Sequence, residues 1–173
     1  LRTDVIDVFL LHSCDAATLM RDDILDELSR AKSAGKIRAS GYSGDNDALA
    51  AAIRSGSFDV VECSVNPFDR GSLGSALAGA AARDIGVLAK RPLANGAWRF
   101  EAPPEARDVR TYWDRMRTMQ IDPSPLAWPE ACVRFAAFAP GVSSALVGTS
   151  NLANLAAAVE AVHRGPLSAA LLS

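Results

Sequence analysis

Short apolar runs alternate with helix-like segments along almost the whole chain, and this alternation constrains the fold more than any other feature. Strand-like runs occupy 4–12, 37–43, 59–65, 87–90 and 143–148. The segments between and after these runs have apolar residues at helical spacing and are predicted to be helices: 20–36, 46–55, 72–84, 111–119, 124–139 and 151–163. Strict alternation of strands and helices predicts a parallel sheet with right-handed crossovers.

Two α/β architectures have this order: an open doubly wound sheet and an arc of a (β/α)8 barrel. A doubly wound nucleotide-binding sheet is expected to have G-x-G-x-x-G after its first strand, and this motif is absent. A complete barrel needs about 250 residues, whereas the chain has 173. The barrel interpretation therefore predicts one partial domain over 1–173, and a start at Leu1 rather than Met is expected if the true beginning is missing.

Charge and cysteine content exclude several classes of protein. The chain has 18 Lys and Arg against 20 Asp and Glu, a net charge of −2, which gives no electrostatic basis for binding nucleic acid or an anionic membrane. No apolar run reaches the roughly 18 residues of a membrane span. The cysteines, at positions 14, 63 and 132, lack C-x-x-C spacing, so we expect no metal site, no disulfide framework and a reducing cytoplasm.

Two segments have residues suited to binding phosphate. Arg91–Glu105 contains Pro92, Asn95 and Gly96 and is predicted to be a long loop, a kind of segment that is often functional. A run of small residues, 148–150, leads from the last predicted strand into the N-terminus of the last helix. Barrels often bind phosphate at this position, where helix amide groups point at the ligand.

Five segments resemble the aldo-keto reductases, in the order and at the spacing of that family. They are L-R-T-D-V-I-D-V-F-L-L-H (1–12), G-K-I-R-A-S-G-Y-S (35–43), F-D-V-V-E-C-S-V-N (58–66), G-V-L-A-K-R-P-L-A-N-G (86–96) and P-G-V-S-S-A-L-V-G-T-S-N (140–151). The chain looks most like the bacterial members. The resemblance implies the C-terminal five βα units of a (β/α)8 TIM barrel, strands four to eight of the family fold, with loop 91–110 over the cofactor site.

The resemblance implies an NADPH-dependent oxidoreductase that reduces aldehydes or ketones to alcohols by hydride transfer, without a metal. Of the catalytic Asp, Tyr, Lys and His of the family, only the His has a match here. It is His12, at the end of the first strand, where it would orient and polarise the substrate carbonyl. The other three belong upstream of Leu1, so we expect the 173-residue chain alone to be inactive and the intact parent to be active.

An alternative from another class is a truncated, non-catalytic fragment or a binding or regulatory subunit. The first and last strands of a partial barrel would be unpaired edges, which tend to recruit another chain. Such a chain would associate through these edges, either with itself or with a complementary N-terminal fragment.

The resemblance also implies a set of cofactor contacts. Ser43 would help to hold the nicotinamide carboxamide, but Gly44 and Glu62 stand where the family usually has Asn and Gln. Glutamate accepts from the amide NH2 but cannot donate to the amide oxygen unless protonated. The loop residues that would pack over the pyrophosphate are Arg91, Pro92, Leu93 and Asn95, with Arg91 and Arg99 adding charge.

At the other end of the cofactor, Gly148, Thr149, Ser150 and Asn154 would hold the adenosine 2′-phosphate, with Asn151 as helix cap. Asn154 stands where the family often has a basic residue or histidine. Ala157 and Ala158 replace a Glu-Asn pair that reaches the adenine, so adenosine binding is expected to be weaker than usual.

Each of these residues also has a structural interpretation. His12 is then a strand-end histidine bonded to a neighbouring loop, residues 43–46 are a turn and helix cap, and the segment after Lys90 is a surface loop. Asn66 is expected to bond backbone at a strand end. The aromatic residues Trp98, Tyr112, Trp113 and Trp128 are expected mainly to pack.

Overall fold

Five strands form a sheet in which neighbours along the chain are also neighbours in space, in the order β1-β2-β3-β4-β5. The computed structural model describes residues 2–172; Leu1, which the resemblance places at the end of a family helix, and Ser173 lie outside the described residues. The strands are β1 Ile6–His12, β2 Ile37–Ser43, β3 Val60–Ser64, β4 Gly86–Lys90 and β5 Ser144–Ala145. The β1–β2 and β2–β3 pairs are parallel, as the alternating pattern predicts.

Helices separate the strands. They are α1 Ala16–Leu19, α2 Asp22–Ser33, α3 Asn46–Ser55, α4 Ser75–Ala81, α5 Arg107–Met119, α6 Trp128–Ala137, α7 Leu152–His163 and α8 Ala169–Leu172. The four-residue helices α1 and α8 were not predicted, because one helical turn has no periodicity to detect. No helix among the described residues is long and apolar enough to cross a bilayer.

Helix α3 shows how local sequence sets the element bounds. Leu49, Ala52 and Ile53 are buried on one side of the helix, at the spacing of an amphipathic helix. Gly56 ends it with φ +66°, the left-handed conformation that glycine adopts without strain. Asp45 occupies the predicted N-cap position, but its side chain makes no capping hydrogen bond.

The chain divides into two compact units. The first contains Leu1–Cys63 and Ser72–Leu88, and the second contains Ser64–Gly71 and Ala89–Ser173. In the first unit, helices α1 to α4 cover the sheet, and the amide of Gly86 extends the hydrogen-bond ladder to the carbonyl of Asp59 at 2.9 Å. The core of this unit includes Leu19, Tyr42, Leu49, Phe58, Val61 and Leu77, each 3% exposed or less.

The second unit has an aromatic core. Phe68, Ala94, Ala97 and Tyr112 are buried together, and Trp98, Trp113 and Trp128 pack against them. The rings of Trp98 and Trp128 are stacked with centroids 6.0 Å apart and planes 15° apart. The predicted packing role of these aromatic residues is therefore confirmed.

Several element bounds differ from the sequence prediction. The loop assigned to 91–110 contains short helical turns over Ala94–Arg99, interrupted by left-handed Asn95 and Gly96, and its last residues belong to α5, whose first turn is closed by the Arg110 amide on the Ala106 carbonyl. Helix α6 begins at Trp128 rather than at 124, which leaves Pro129 in the first turn, where its missing N–H costs nothing. Strand β5 has two residues instead of six.

Candidate functional site

Left-handed backbone is concentrated in the segment that follows β4. Arg91, Ala94, Asn95 and Gly96 have φ values of +52°, +43°, +53° and +70°. Each non-glycine residue in this region costs about 1–3 kcal/mol, and such strain persists only where the surroundings enforce it. The conformation is therefore held by specific contacts, and clusters of this kind occur preferentially at binding sites.

Asn66 holds this segment. Its fully buried side chain donates from Nδ2 to the Arg91 carbonyl at 3.1 Å and accepts from the Phe68 amide at 3.0 Å. The predicted backbone role of Asn66 at a strand end is confirmed. The Arg91 guanidinium donates to Ser64 Oγ at 3.4 Å, and Arg99 folds back so that its Nε donates to the Gly96 carbonyl at 3.3 Å.

The junction between β5 and α7 is held by its own side chains. Thr149 Oγ1 accepts from the Asn151 amide at 3.1 Å, and Asn151 Oδ1 accepts from the Ala153 amide at 2.9 Å. Asn151 is therefore the N-cap of α7, as predicted. The Leu146 amide donates to the Ala89 carbonyl at 2.9 Å and fixes the start of the junction against β4.

The loop after β4 and one face of α7 line one cavity of about 940 Å³ in the second unit. This volume lies within the roughly 300–1,000 Å³ typical of small-molecule and cofactor sites. The structure brings together most of the predicted cofactor residues at this cavity, namely Arg91, Pro92, Leu93, Asn95, Gly148, Thr149 and Asn154. Ala157 and Ala158 also line it, whereas Ser150 is not among its lining residues.

Charged residues that the sequence analysis did not single out also line this cavity. Glu130 lies between two arginines, 2.9 Å from Arg134 and 2.9 Å from Arg164, and Glu160 lies 3.5 Å from Arg164. Glu130, Glu160 and Arg164 contribute to the wall of the cavity, together with Arg99 and Trp98, which were already considered from the sequence. The sequence signal for Glu130, Glu160 and Arg164 is the i,i+4 spacing of Glu130 with Arg134 and of Glu160 with Arg164, which is common on ordinary helix surfaces.

A second cluster of predicted residues lies on three neighbouring strands of the first unit, at the ends of β1 and β2 and in the middle of β3. His12 aligns with Ser43 across β1 and β2, and Ser43 aligns with Glu62 across β2 and β3. The Ser43 hydroxyl is buried and donates to Glu62 Oε1 at 2.9 Å. His12 is exposed at the end of its strand. The strand register thus places the imidazole of His12, the hydroxyl of Ser43 and the carboxylate of Glu62 in one row across the sheet.

The structure explains why glycine follows Ser43. A Cβ on Gly44 would collide with the ring and hydroxyl of Tyr42. Tyr42 is 2% exposed, and its hydroxyl donates to the Cys14 carbonyl at 2.8 Å, so the ring cannot move aside without breaking this bond. Burial, followed by the nearby Cys14, Asp45 and Asp15, raises the pKa of Tyr42.

The described part of the chain does not contain a cluster of metal-binding side chains. Within residues 2–172, no group of three or more His, Cys, Asp or Glu side chains is arranged to hold a metal ion. Cys14, Cys63 and Cys132 are not joined in disulfide bonds.

Solved structures with this fold include aldo-keto reductase AKR11C1 from Bacillus halodurans. Its apo form superposes with a TM-score of 0.79 at 20% identity over 98% of this chain and 60% of that chain. The holo form gives 0.78 at 20% identity, over 98% of this chain and 57% of that one. Likeness at this identity shows the fold.

A Pseudomonas aeruginosa protein provisionally described as an aldo-keto reductase gives a TM-score of 0.67 at 26% identity. That match covers 94% of this chain and 52% of the other, so the chain spans between half and three-fifths of the length of these proteins. The predicted fold, five βα units of an incomplete (β/α)8 barrel, is confirmed.

At the level of sequence, no curated protein matches the chain significantly. Residues 1–172, nearly the whole sequence, match the pattern of the aldo/keto reductase family. The chain therefore belongs to the aldo/keto reductase family.

Proposed function

We propose that this chain is the larger, nucleotide-binding part of an NADPH-dependent oxidoreductase that reduces aldehydes or ketones to alcohols. The observation that carries the proposal is the cavity in the second unit. Two segments far apart in sequence, 91–99 and 148–154, line it together. Each of them independently has the residue types of a phosphate-binding segment, so their meeting at one cavity supports a shared ligand.

The residues of the cavity fit the phosphate-containing part of a dinucleotide. Arg91 and Arg99 line the wall formed by the loop and provide guanidinium groups, which bind phosphate through paired, charge-assisted hydrogen bonds. Small residues on α7, Ala157 and Ala158, leave room for a base.

In the first unit by itself, the row of His12, Ser43 and Glu62 has groups that suit a carbonyl substrate and a carboxamide. A bound reduced dinucleotide supplies a hydride to the carbonyl carbon, and the oxygen gains a proton. The exposed imidazole of His12 can donate one hydrogen bond to a carbonyl oxygen and so orient and polarise it. Ser43 and Glu62 form an acceptor pair for the NH2 of a carboxamide.

In this proposal, the group that donates a proton to the substrate oxygen does not belong to this chain. The family Asp, Tyr and Lys have no matching positions in the sequence, and the chain spans 60% of the length of AKR11C1. We therefore propose that the chain binds nucleotide by itself but does not reduce carbonyls without the remaining part of the barrel.

A titration of the chain with NADPH tests this proposal, with quenching of tryptophan fluorescence as the signal, since Trp98 lines the cavity. We expect saturable binding, and a rise in Kd of about tenfold for Arg99→Met, because hydrogen bonds to charged groups contribute about 1.5–3 kcal/mol. Arg54→Met, on the surface of α3, is the matched control and should leave Kd unchanged. No binding, or equal loss in both variants, contradicts the proposal. So does aldehyde reduction by the chain alone.

A second candidate function is a non-catalytic subunit that pairs with another copy through β1. This strand stands at one end of the sheet order, and its Val8 and Phe9 are 40% and 41% exposed. Phe9 and Leu11 line an apolar groove of about 330 Å³ with Ile24 and Leu28 of α2. Sedimentation equilibrium tests this candidate: it predicts a dimer that Phe9→Lys dissociates, and a concentration-independent monomer contradicts it.

The state of the cysteines supports a location in the cytoplasm, which we propose on the same basis. Three cysteines that are not joined in disulfide bonds persist most readily in a reducing compartment. A fluorescent fusion in intact cells should give a diffuse cytoplasmic signal, and export to an oxidising compartment would contradict this.

A further inference from the structure

The wall of the cavity formed by α7 offers little positive charge. The α7 residues on this wall that face the cavity before its last turn are Asn154, Ala157 and Ala158. The helix N-terminus is also partly occupied, since the amides of Asn151 and Ala153 already donate to the side chains of Thr149 and Asn151. An anion at this end of the helix therefore finds fewer open amide donors than an uncapped helix provides.

The cation at the end of α7 is neutralised by its neighbours. Arg164 is held by Glu130 at 2.9 Å and lies 3.5 Å from Glu160. Glu130 also binds Arg134 at 2.9 Å, with both side chains less than 20% exposed. The group therefore combines two guanidinium groups with two carboxylates. A phosphate placed here would compete with the carboxylates for Arg164 and would be repelled by them.

The other arginines of the cavity lie on the opposite segment. Arg91 and Arg99 belong to the loop after β4 and line its wall. Charges placed there suit a diphosphate, which dinucleotides share whether or not they have a phosphate on the adenosine ribose. In the dinucleotide sites of doubly wound sheets, an arginine accommodates a 2′-phosphate, whereas a carboxylate accepts from the free 2′-hydroxyl, and the same hydrogen-bond chemistry applies to a ribose bound in another fold. On the α7 side of this cavity the carboxylate of Glu160 is exposed and able to accept.

We infer that the cavity binds the adenosine end of a nicotinamide dinucleotide without selecting for the 2′-phosphate, so that the chain takes NADH about as well as NADPH. This inference rests on the proposed nucleotide-binding function and broadens its cofactor from NADPH to either nicotinamide dinucleotide. It assigns the lack of selection to Asn154, Ala157 and Ala158 together with the neutralised Arg164.

Two ligands that differ only in the 2′-phosphate test the inference: ADP-ribose and ADP-ribose 2′-phosphate, titrated into the full chain with tryptophan fluorescence as the signal. We expect Kd values within about threefold of each other. A preference of more than threefold for the 2′-phosphorylated ligand overturns the inference and leaves the proposed function standing. Failure of both ligands to bind overturns the proposed function and the inference with it.

A matched pair of variants tests the assigned cause. Asn154→Arg places a cation on the uncharged wall and should create a preference of at least about tenfold for the 2′-phosphorylated ligand. Val159→Arg adds the same cation to an exposed position of α7 that does not line the cavity, and should keep both Kd values within threefold of wild type. Absence of a new preference in a folded Asn154→Arg, checked by circular dichroism, overturns the assignment.

Discussion

The Ser43 hydroxyl, at the end of β2, donates a 2.9 Å hydrogen bond to Oε1 of Glu62, so the proton of Ser43 is directed at a carboxylate in the middle of β3. The pair therefore presents acceptors to a ligand. A carboxamide has one oxygen that requires a donor, and this oxygen finds none on a carboxylate.

Glu62→Gln should strengthen binding of a nicotinamide dinucleotide. Its amide oxygen keeps the bond from Ser43, and its NH2 adds a donor for the carboxamide oxygen. One added hydrogen bond contributes about 0.5–1.5 kcal/mol, so Kd for NADPH should fall about two- to tenfold by calorimetry. Kd for ADP, which lacks the nicotinamide, should stay unchanged. A parallel change for both ligands, or weaker NADPH binding, would contradict this role of Glu62.

Gly44→Ala should destabilise the fold. Its Cβ would meet the ring of Tyr42, which is held by the bond to the Cys14 carbonyl. Overpacking of this kind costs about 1–3 kcal/mol in the free energy of unfolding, measurable by urea denaturation. Gly71→Ala is the matched control, because its Cβ has no neighbour closer than 3.9 Å, and it should change stability by less than about 0.5 kcal/mol.

Stability at alkaline pH should depend on Tyr42. Burial raises the pKa of this phenol in the folded state, so the folded chain holds the proton at pH values where the unfolded chain loses it. The resulting stability is complete below the unfolded pKa, near pH 10, and is lost as pH rises through the folded pKa.

Tyr42→Phe removes this titration. At neutral pH the variant should be about 1 kcal/mol less stable, since it lacks the bond to the Cys14 carbonyl. Above about pH 10 the difference between wild type and variant should shrink. Denaturation curves at several pH values check this, and a constant difference through the alkaline range would show that Tyr42 does not titrate in this way.

Many of the helices and strands could be predicted from the sequence because the residues that set their bounds lie close together in the chain. The bounds of α3 match the prediction, since Gly56 provides a left-handed stop and the apolar residues keep helical spacing. Strand β2 matches for a similar reason, as it lies between two clear helix signals. Strand β5 was predicted too long because strand propensity alone does not fix where a strand ends.

The site was predicted in part. The resemblance pointed to segments 91–95 and 148–154, and the cavity brings most of these residues together. Glu130 and Arg164 were missed because each has the i,i+4 spacing of a surface ion pair, and only the packing of α6 against α7 links them to each other and to the cavity. The pattern also could not show that Tyr42 fills the space beside Gly44.

The cysteines should differ strongly in reactivity. Burial raises the pKa of Cys132 to about 12, and the thiolate is the reactive form. Cys63 is fully buried, whereas Cys14 is half-buried. Iodoacetamide at pH 8 should therefore label the native chain once, at Cys14, as measured by mass spectrometry. Cys14→Ser should abolish this label, urea should expose all three thiols, and labelling of native Cys132 as fast as Cys14 would contradict the burial.

Hydrogen exchange with mass spectrometry shows whether the loop after β4 and the start of α7 form one nucleotide-binding cavity. We expect NADPH to slow amide exchange in two separate segments, 91–99 and 148–154, with the surface of α2 as an unaffected reference. Protection of neither segment, or of only one at saturating NADPH, would contradict it.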